Sequence, residues 1–192
     1  MYFKRYFLAS IFSFALLNAE SSVGIGINNE SIELQGSMDL NAFAYYSDIT
    51  SYNVDISYLN IETDRVTSDS LTSIGINGEN ELQGAQGVKL ALGGKMVFSK
   101  DFMAFPLYAK ATFDMPFNGA IPLITMATSL AYAPPVLSFR EAYSYSEFRV
   151  EGDMELIPNI HLFTGYRSID TNYMTYDKVF DEGFYGGMKM KF

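Results

Sequence analysis

The densest chemistry in this sequence lies between residues 147 and 167, where Glu147, Arg149, Glu151, Asp153 and Glu155 take every second position and His161 and Arg167 follow. A histidine beside carboxylates suits general acid–base catalysis, the carboxylate holding the imidazole while the imidazole moves a proton. Such a pair needs a nucleophile, and no serine stands two residues from His161 on its own face of an extended chain. The 192 residues contain one histidine and no cysteine, which removes histidine-rich zinc centres, thiolate metal sites, cysteine nucleophiles and disulfide frameworks. Asp170, Asp177, Asp181 and Glu182 offer oxygen ligands of the kind Ca²⁺ prefers. Their spacing lacks the Asp and Gly intervals of an EF-hand loop and reads as solvated loop charge. The expectation is a chain without catalysis, metal or cofactor, with His161 as a spacer or an ion-pair partner.

Alternate spacing of charge identifies the element that carries it. Between Tyr145 and Leu156 the even positions, Phe148, Val150, Met154 and Leu156 among them, are apolar, while the odd positions are charged. A helix would scatter these charges around its circumference, whereas a strand keeps them on one side. The same two-faced period recurs in Val88–Phe98, Phe105–Asp114, Tyr52–Tyr58 and Phe184–Phe192. Counted back from the C-terminus, the predicted strands are roughly 183–192, 159–169, 145–157, 122–132, 104–114, 88–98, 71–77 and 52–61. Residues 23–40 add a hairpin or nothing, so the count is eight or ten, with ten preferred because single-chain bacterial barrels have even strand numbers. Most segments approach ten residues, the length a tilted strand needs to cross a bilayer.

Composition narrows the class further. With 13 basic against 22 acidic side chains the net charge is −9, which argues against nucleic acid as a partner, since phosphate binding needs clustered Lys and Arg. At 48% hydrophobic the chain is too apolar to be disordered. Residues 1–19 read as a secretory signal, with Lys4 and Arg5 as the cationic head, Phe7–Leu17 as the apolar stretch and cleavage after Ala19. Residues 20–192 then form one exported domain carrying 11 basic and 22 acidic groups, a net of −11. No later segment supplies 18 consecutive apolar residues, which excludes a helical membrane protein.

Alternation fits a membrane barrel and a soluble lipocalin-like carrier equally, since the two differ only in which face is outside. The ending Met188-Lys189-Met190-Lys191-Phe192 favours the membrane, because a soluble chain gains little from a terminal aromatic. Met188, Met190 and Phe192 resemble the C-terminal signal read by the bacterial barrel-insertion machinery. Tyr45, Tyr46, Tyr52, Tyr132, Tyr143, Tyr145, Tyr166, Tyr173 and Tyr176 gather near predicted strand ends, as an interfacial belt requires. Short turns such as Ile157-Pro158-Asn159 on one side, against a long acidic loop at 170–182 on the other, follow the habit of outer-membrane barrels.

The stretches Tyr132-Ala133-Pro134-Pro135-Val136-Leu137-Ser138-Phe139, Glu147–Glu155, Gly165-Tyr166-Arg167-Ser168-Ile169, Asp181–Gly187 and Leu90–Lys95 resemble the YfaZ family of outer-membrane proteins. The resemblance spans most of the exported chain and is weakest over residues 23–50. It implies an all-β, antiparallel up-and-down transmembrane β-barrel in the outer membrane of a Gram-negative bacterium. Outer-membrane lipid and lipopolysaccharide would be its surroundings, and a monomer its expected state.

A three-residue turn at Ile157–Asn159 pairs Leu156 with Ile160, Glu155 with His161 and Arg149 with Arg167. Arg167 then lies diagonal to Glu147 and Glu151. The reading is a lumen filled by paired charges (Glu147, Arg149, Glu151, Asp153, Glu155, His161 and Arg167), because a buried charge without a partner is costly. The expected role is structural or surface presentation; the alternatives are a small porin-like passive channel for polar solutes and the soluble carrier.

Overall fold

Wherever apolar and polar residues alternate, the chain runs as an extended strand. The computed structural model describes residues 21–42, 50–64, 67–115, 123–174 and 176–192. The expected signal segment with Ala19, and Tyr45 and Tyr46, lie outside them. The strands are β1 (Ser22–Ile27), β2 (Ser31–Asp39), β3 (Ser51–Asp64), β4 (Thr67–Glu81), β5 (Val88–Phe98), β6 (Phe102–Ala104), β7 (Leu107–Met115), β8 (Ile124–Ala133), β9 (Ser138–Arg140), β10 (Ala142–Ile157), β11 (Ile160–Tyr173) and β12 (Asp177–Lys191). Neighbours in sequence pair antiparallel, β12 returns to β1, and β4 pairs with β5, so ten long strands close into a barrel. The short β6 pairs with the end of β5 and with the short β9 at one rim. Closure leaves no open edge on the ten-stranded wall.

Residues 23–40 do supply a hairpin, which makes the count ten. Its turn is local chemistry: Asn28 Oδ1 accepts from the backbone N–H groups of Glu30 and Ser31, at 2.8 and 2.6 Å. The β10–β11 register matches the expected one over its length, with Glu155 opposite His161 and Arg149 opposite Arg167. At the turn itself Ile157, not Leu156, faces Ile160 across a register shift, and only Pro158 and Asn159 remain as turn residues. Asn159 there adopts φ 72°, a left-handed conformation that asparagine tolerates better than most side chains. Similar segments at 26–36 and 75–84 take different places: the first is the β1–β2 hairpin, the second the end of β4 leading into the β4–β5 turn.

The first and last described residues sit together, since Ser22 pairs with Lys191 and the Phe192 N–H donates to the Ser21 carbonyl at 2.8 Å. At this terminal end, β2–β3, β4–β5, β7–β8 and β10–β11 are joined; at the far end lie the other connections. The far end does not carry the long acidic loop expected at 170–182. There β11 runs on to Tyr173 and β12 begins at Asp177, leaving a three-residue connection.

The sidedness of the wall is clear from exposure. Phe148 and Leu156 are 38% and 47% exposed, whereas Asp153 is 7% and Glu147 9% exposed. Ile25, Leu34, Ile56, Ile76, Leu92, Leu130 and Phe184 continue the exposed apolar wall onto other strands. The ionic face turns inward.

Candidate functional site

Three layers fill the lumen from the far end to the terminal end. The first is apolar, because the inward positions of several strands change character along their length. On β3 and β4 the inward Ser57 and Ser73, which hydrogen-bond to each other at 2.8 Å, give way to Leu59, Ile61 and Leu71. These pack with Val97, Phe102, Ala104, Ala133, Tyr145, Ile169, Tyr173 and Phe180. Phe102 lies at the centre, its ring centroid 5.4 Å from that of Phe180, 6.0 Å from Tyr145 and 6.2 Å from Tyr173. Tyr145 and Tyr173 are therefore part of an internal cap and not of an outer belt, whereas Tyr52, Tyr132, Tyr143 and Tyr176 are exposed. The β6–β9 pair supplies Phe102 and Ala104, and so closes this end.

Beneath the cap lies an ionic layer. Arg167, 1% exposed, donates to Asp181 (Nε to Oδ2 at 2.7 Å), to Glu33, and to Ser31 Oγ at 3.1 Å. Arg149 grips Glu33 with both terminal nitrogens at 2.9 Å and reaches Glu147 at 3.4 Å. Glu147 also receives Lys95 and, at 2.7 Å, the Tyr145 hydroxyl. Both guanidinium groups lie over the Tyr185 ring, 4.9 Å away for Arg167 and 5.6 Å for Arg149. Tyr185 is held in turn by Glu151, to which its hydroxyl donates at 2.9 Å. The ring needs glycine opposite: a Cβ on Gly165 would stand 3.0 Å from the Tyr185 hydroxyl and closer still to the Val150 carbonyl.

The third layer is a polar cup of about 440 Å³ that opens at the terminal end. On its wall Glu151 receives Lys189 at 2.9 Å, and Asp153 faces His161 Nδ1 at 2.6 Å, Lys189 at 3.5 Å and Lys191 at 3.7 Å. Lys89 and Asp114 pair at 3.3 Å. The lumen is thus filled only over its far part, and the expectation of a fully occupied interior is corrected. Small residues are the reason: Gly24, Gly36, Gly75, Ala127 and Ser129 line the cup and leave its volume open.

Of the expected charge network, Glu147, Arg149, Glu151, Asp153, His161 and Arg167 all face the lumen and are bonded there. Glu155 stands apart at the terminal rim, where Oε1 accepts from the Asn159 backbone N–H at 3.4 Å. Arg167 turns away from the expected Glu147 and Glu151 toward Glu33 and Asp181. Sequence reasoning passed over Glu33, although Ser31-Ile32-Glu33-Leu34-Gln35 has the same alternation as the strands it did read. Asp181, acidic like the 170–182 segment around it, stands on β12 and faces the lumen. Its neighbour Glu182 points outward and accepts from the Tyr166 hydroxyl at 2.9 Å, and Asp170 accepts from Ser168, so the four acidic residues form no common site. His161, 4% exposed, is held by Asp153 at 2.6 Å and lies opposite Lys189 on β12. Met188 and Met190 lie exposed on the outer wall, and Phe192 follows the closing strand, its N–H bonded to the Ser21 carbonyl. Comparison with known proteins adds no kinship: no protein-family model matches the chain, and no curated protein matches it.

Proposed function

We propose that this chain is an exported, monomeric outer-membrane β-barrel of a Gram-negative bacterium, a non-enzymatic structural or surface-presenting scaffold sealed to through-flow. One observation carries the reading: the exposed apolar wall encircles an ionic interior. Every lysine and arginine side chain described on the ten long strands stands on the inward face. In water such a wall would be a large aggregation surface, whereas a bilayer turns it into favourable contact. A lipocalin-like carrier has the opposite need, an apolar interior for its cargo and a polar exterior.

Residues 1–19 serve as the export signal in this proposal, Met188, Met190 and Phe192 as the segment the barrel-insertion machinery reads, and lipid with lipopolysaccharide as the surroundings. The short stretches that resemble the YfaZ family agree with it. The sealed far end argues against a passive channel, since Phe102 and the Arg149–Glu33–Arg167 layer stand across the path. The test is fractionation of the native host followed by an alkaline carbonate wash. The protein should stay with outer membranes and should migrate differently on a detergent gel before and after boiling. Release by the wash would overturn the proposal.

A further inference from the structure

The cup has charges left over after its ion pairs are made. Seven acidic and six cationic side chains line it, so its field favours neither a bare anion nor a bare cation. Lys110 on β7 and Asp55 on β3 take part in none of the ion pairs described above. Asp55 accepts a hydrogen bond from Asn77 Nδ2 at 2.6 Å and has capacity to accept more. Both stand among small residues: Lys110 lies between Ala91 and Ser129 across the ladders, and Asp55 between Ser37 and Gly75. Their head groups are therefore uncovered toward the cavity.

A volume of about 440 Å³ lies within the range of small-molecule sites.

We propose that the cup binds a small zwitterion, an amino acid or short peptide with free termini, entering from the terminal end. Lys110 receives the carboxylate, and Asp55 receives the ammonium. The inference rests on the cavity alone and does not depend on the membrane placement.

The test is titration calorimetry of the full chain, refolded in detergent micelles at low salt, with alanyl-alanine as the probe. N-acetyl-alanyl-alanine removes the ammonium, alanyl-alanine amide removes the carboxylate, and glucose offers only hydroxyls. Alanyl-alanine should titrate to saturation, with each blocked peptide about tenfold weaker, the size of effect expected for losing one charge-assisted contact. In Lys110→Gln the preference for a free carboxylate should vanish while that for a free amine persists, and in Asp55→Asn the reverse should hold. Lys178→Gln, at the far end, should behave as the unaltered chain does. Absence of saturation, equal binding of the blocked peptides, or binding of glucose instead would each overturn the proposal. The ligand series on the unaltered chain decides the matter even if a variant fails to fold. Failure here would leave the carbonate wash result untouched, because that assay reads the outer wall.

Discussion

Arg167 is among the largest fully buried side chains, and it survives burial because Asp181, Glu33 and Ser31 satisfy its donors. Removing the guanidinium leaves two buried carboxylates with less than their full complement of charge. Arg167→Met should therefore destabilise the barrel by about 3 to 5 kcal/mol, read as a lower urea midpoint in micelles. Glu33→Gln, which keeps hydrogen-bonding capacity but removes the charge that both arginines share, should also lower the midpoint. Lys178, whose pairing with Asp69 is more exposed, should cost about 1 kcal/mol or less when changed to Gln. The identity of Arg167 as a lumen residue was legible from the period of its strand. Its partners were not, because Glu33 lies 134 residues away and comes beside it only when β12 meets β1 and the cylinder closes. Lys110 and Asp55 were visible as inward residues in the same way. That they take part in none of the ion pairs described depends on which neighbours the staggered wall places near them, and no single strand records this.

At the level of the strand, period-two patterning gave the wall its sides, and the β10–β11 register followed from one turn. The misreading was the β11–β12 hairpin. Asp170, Asp177, Asp181 and Glu182 look like loop composition, yet Ile169, Thr171 and Tyr173 keep pointing inward, and the acids divide between the two faces. Composition lost to a period that ran on beneath it. The outward face makes its own prediction. Leu130 on β8 is 59% exposed and lies well within its strand, so Leu130→Arg should cost about 2 to 4 kcal/mol for folding into lipid vesicles. The same change at Leu156, beside the terminal-end turn, should cost about 1 kcal/mol or less. Equal costs at the two sites would contradict a depth-dependent lipid environment. Asn159→Ala should cost about 1 kcal/mol because alanine is strained at φ 72°, and Asn159→Gly should be tolerated.

For the molecule as a whole, the cap and the ionic layer predict electrical silence. The refolded protein in planar bilayers should give no steady conductance across the voltage range. Phe102→Gly combined with Arg149→Ala and Arg167→Ala, if the barrel still forms, should introduce a measurable leak, since these side chains stand across the path. Silence in that triple variant would mean that something else blocks the lumen. A cup closed at one end can hold a solute and release it only where it entered, which suits retention more than transit.

The seam between β1 and β12 ties the first strand to the last, with Ser22 opposite Lys191 and the final residue hydrogen-bonded to Ser21. Synthesis therefore cannot deliver this shape piecemeal. Until β12 docks on β1, the sheet has two unpaired borders, each able to recruit foreign strands. A premature stop even a dozen codons early would yield an object that can never become a cylinder.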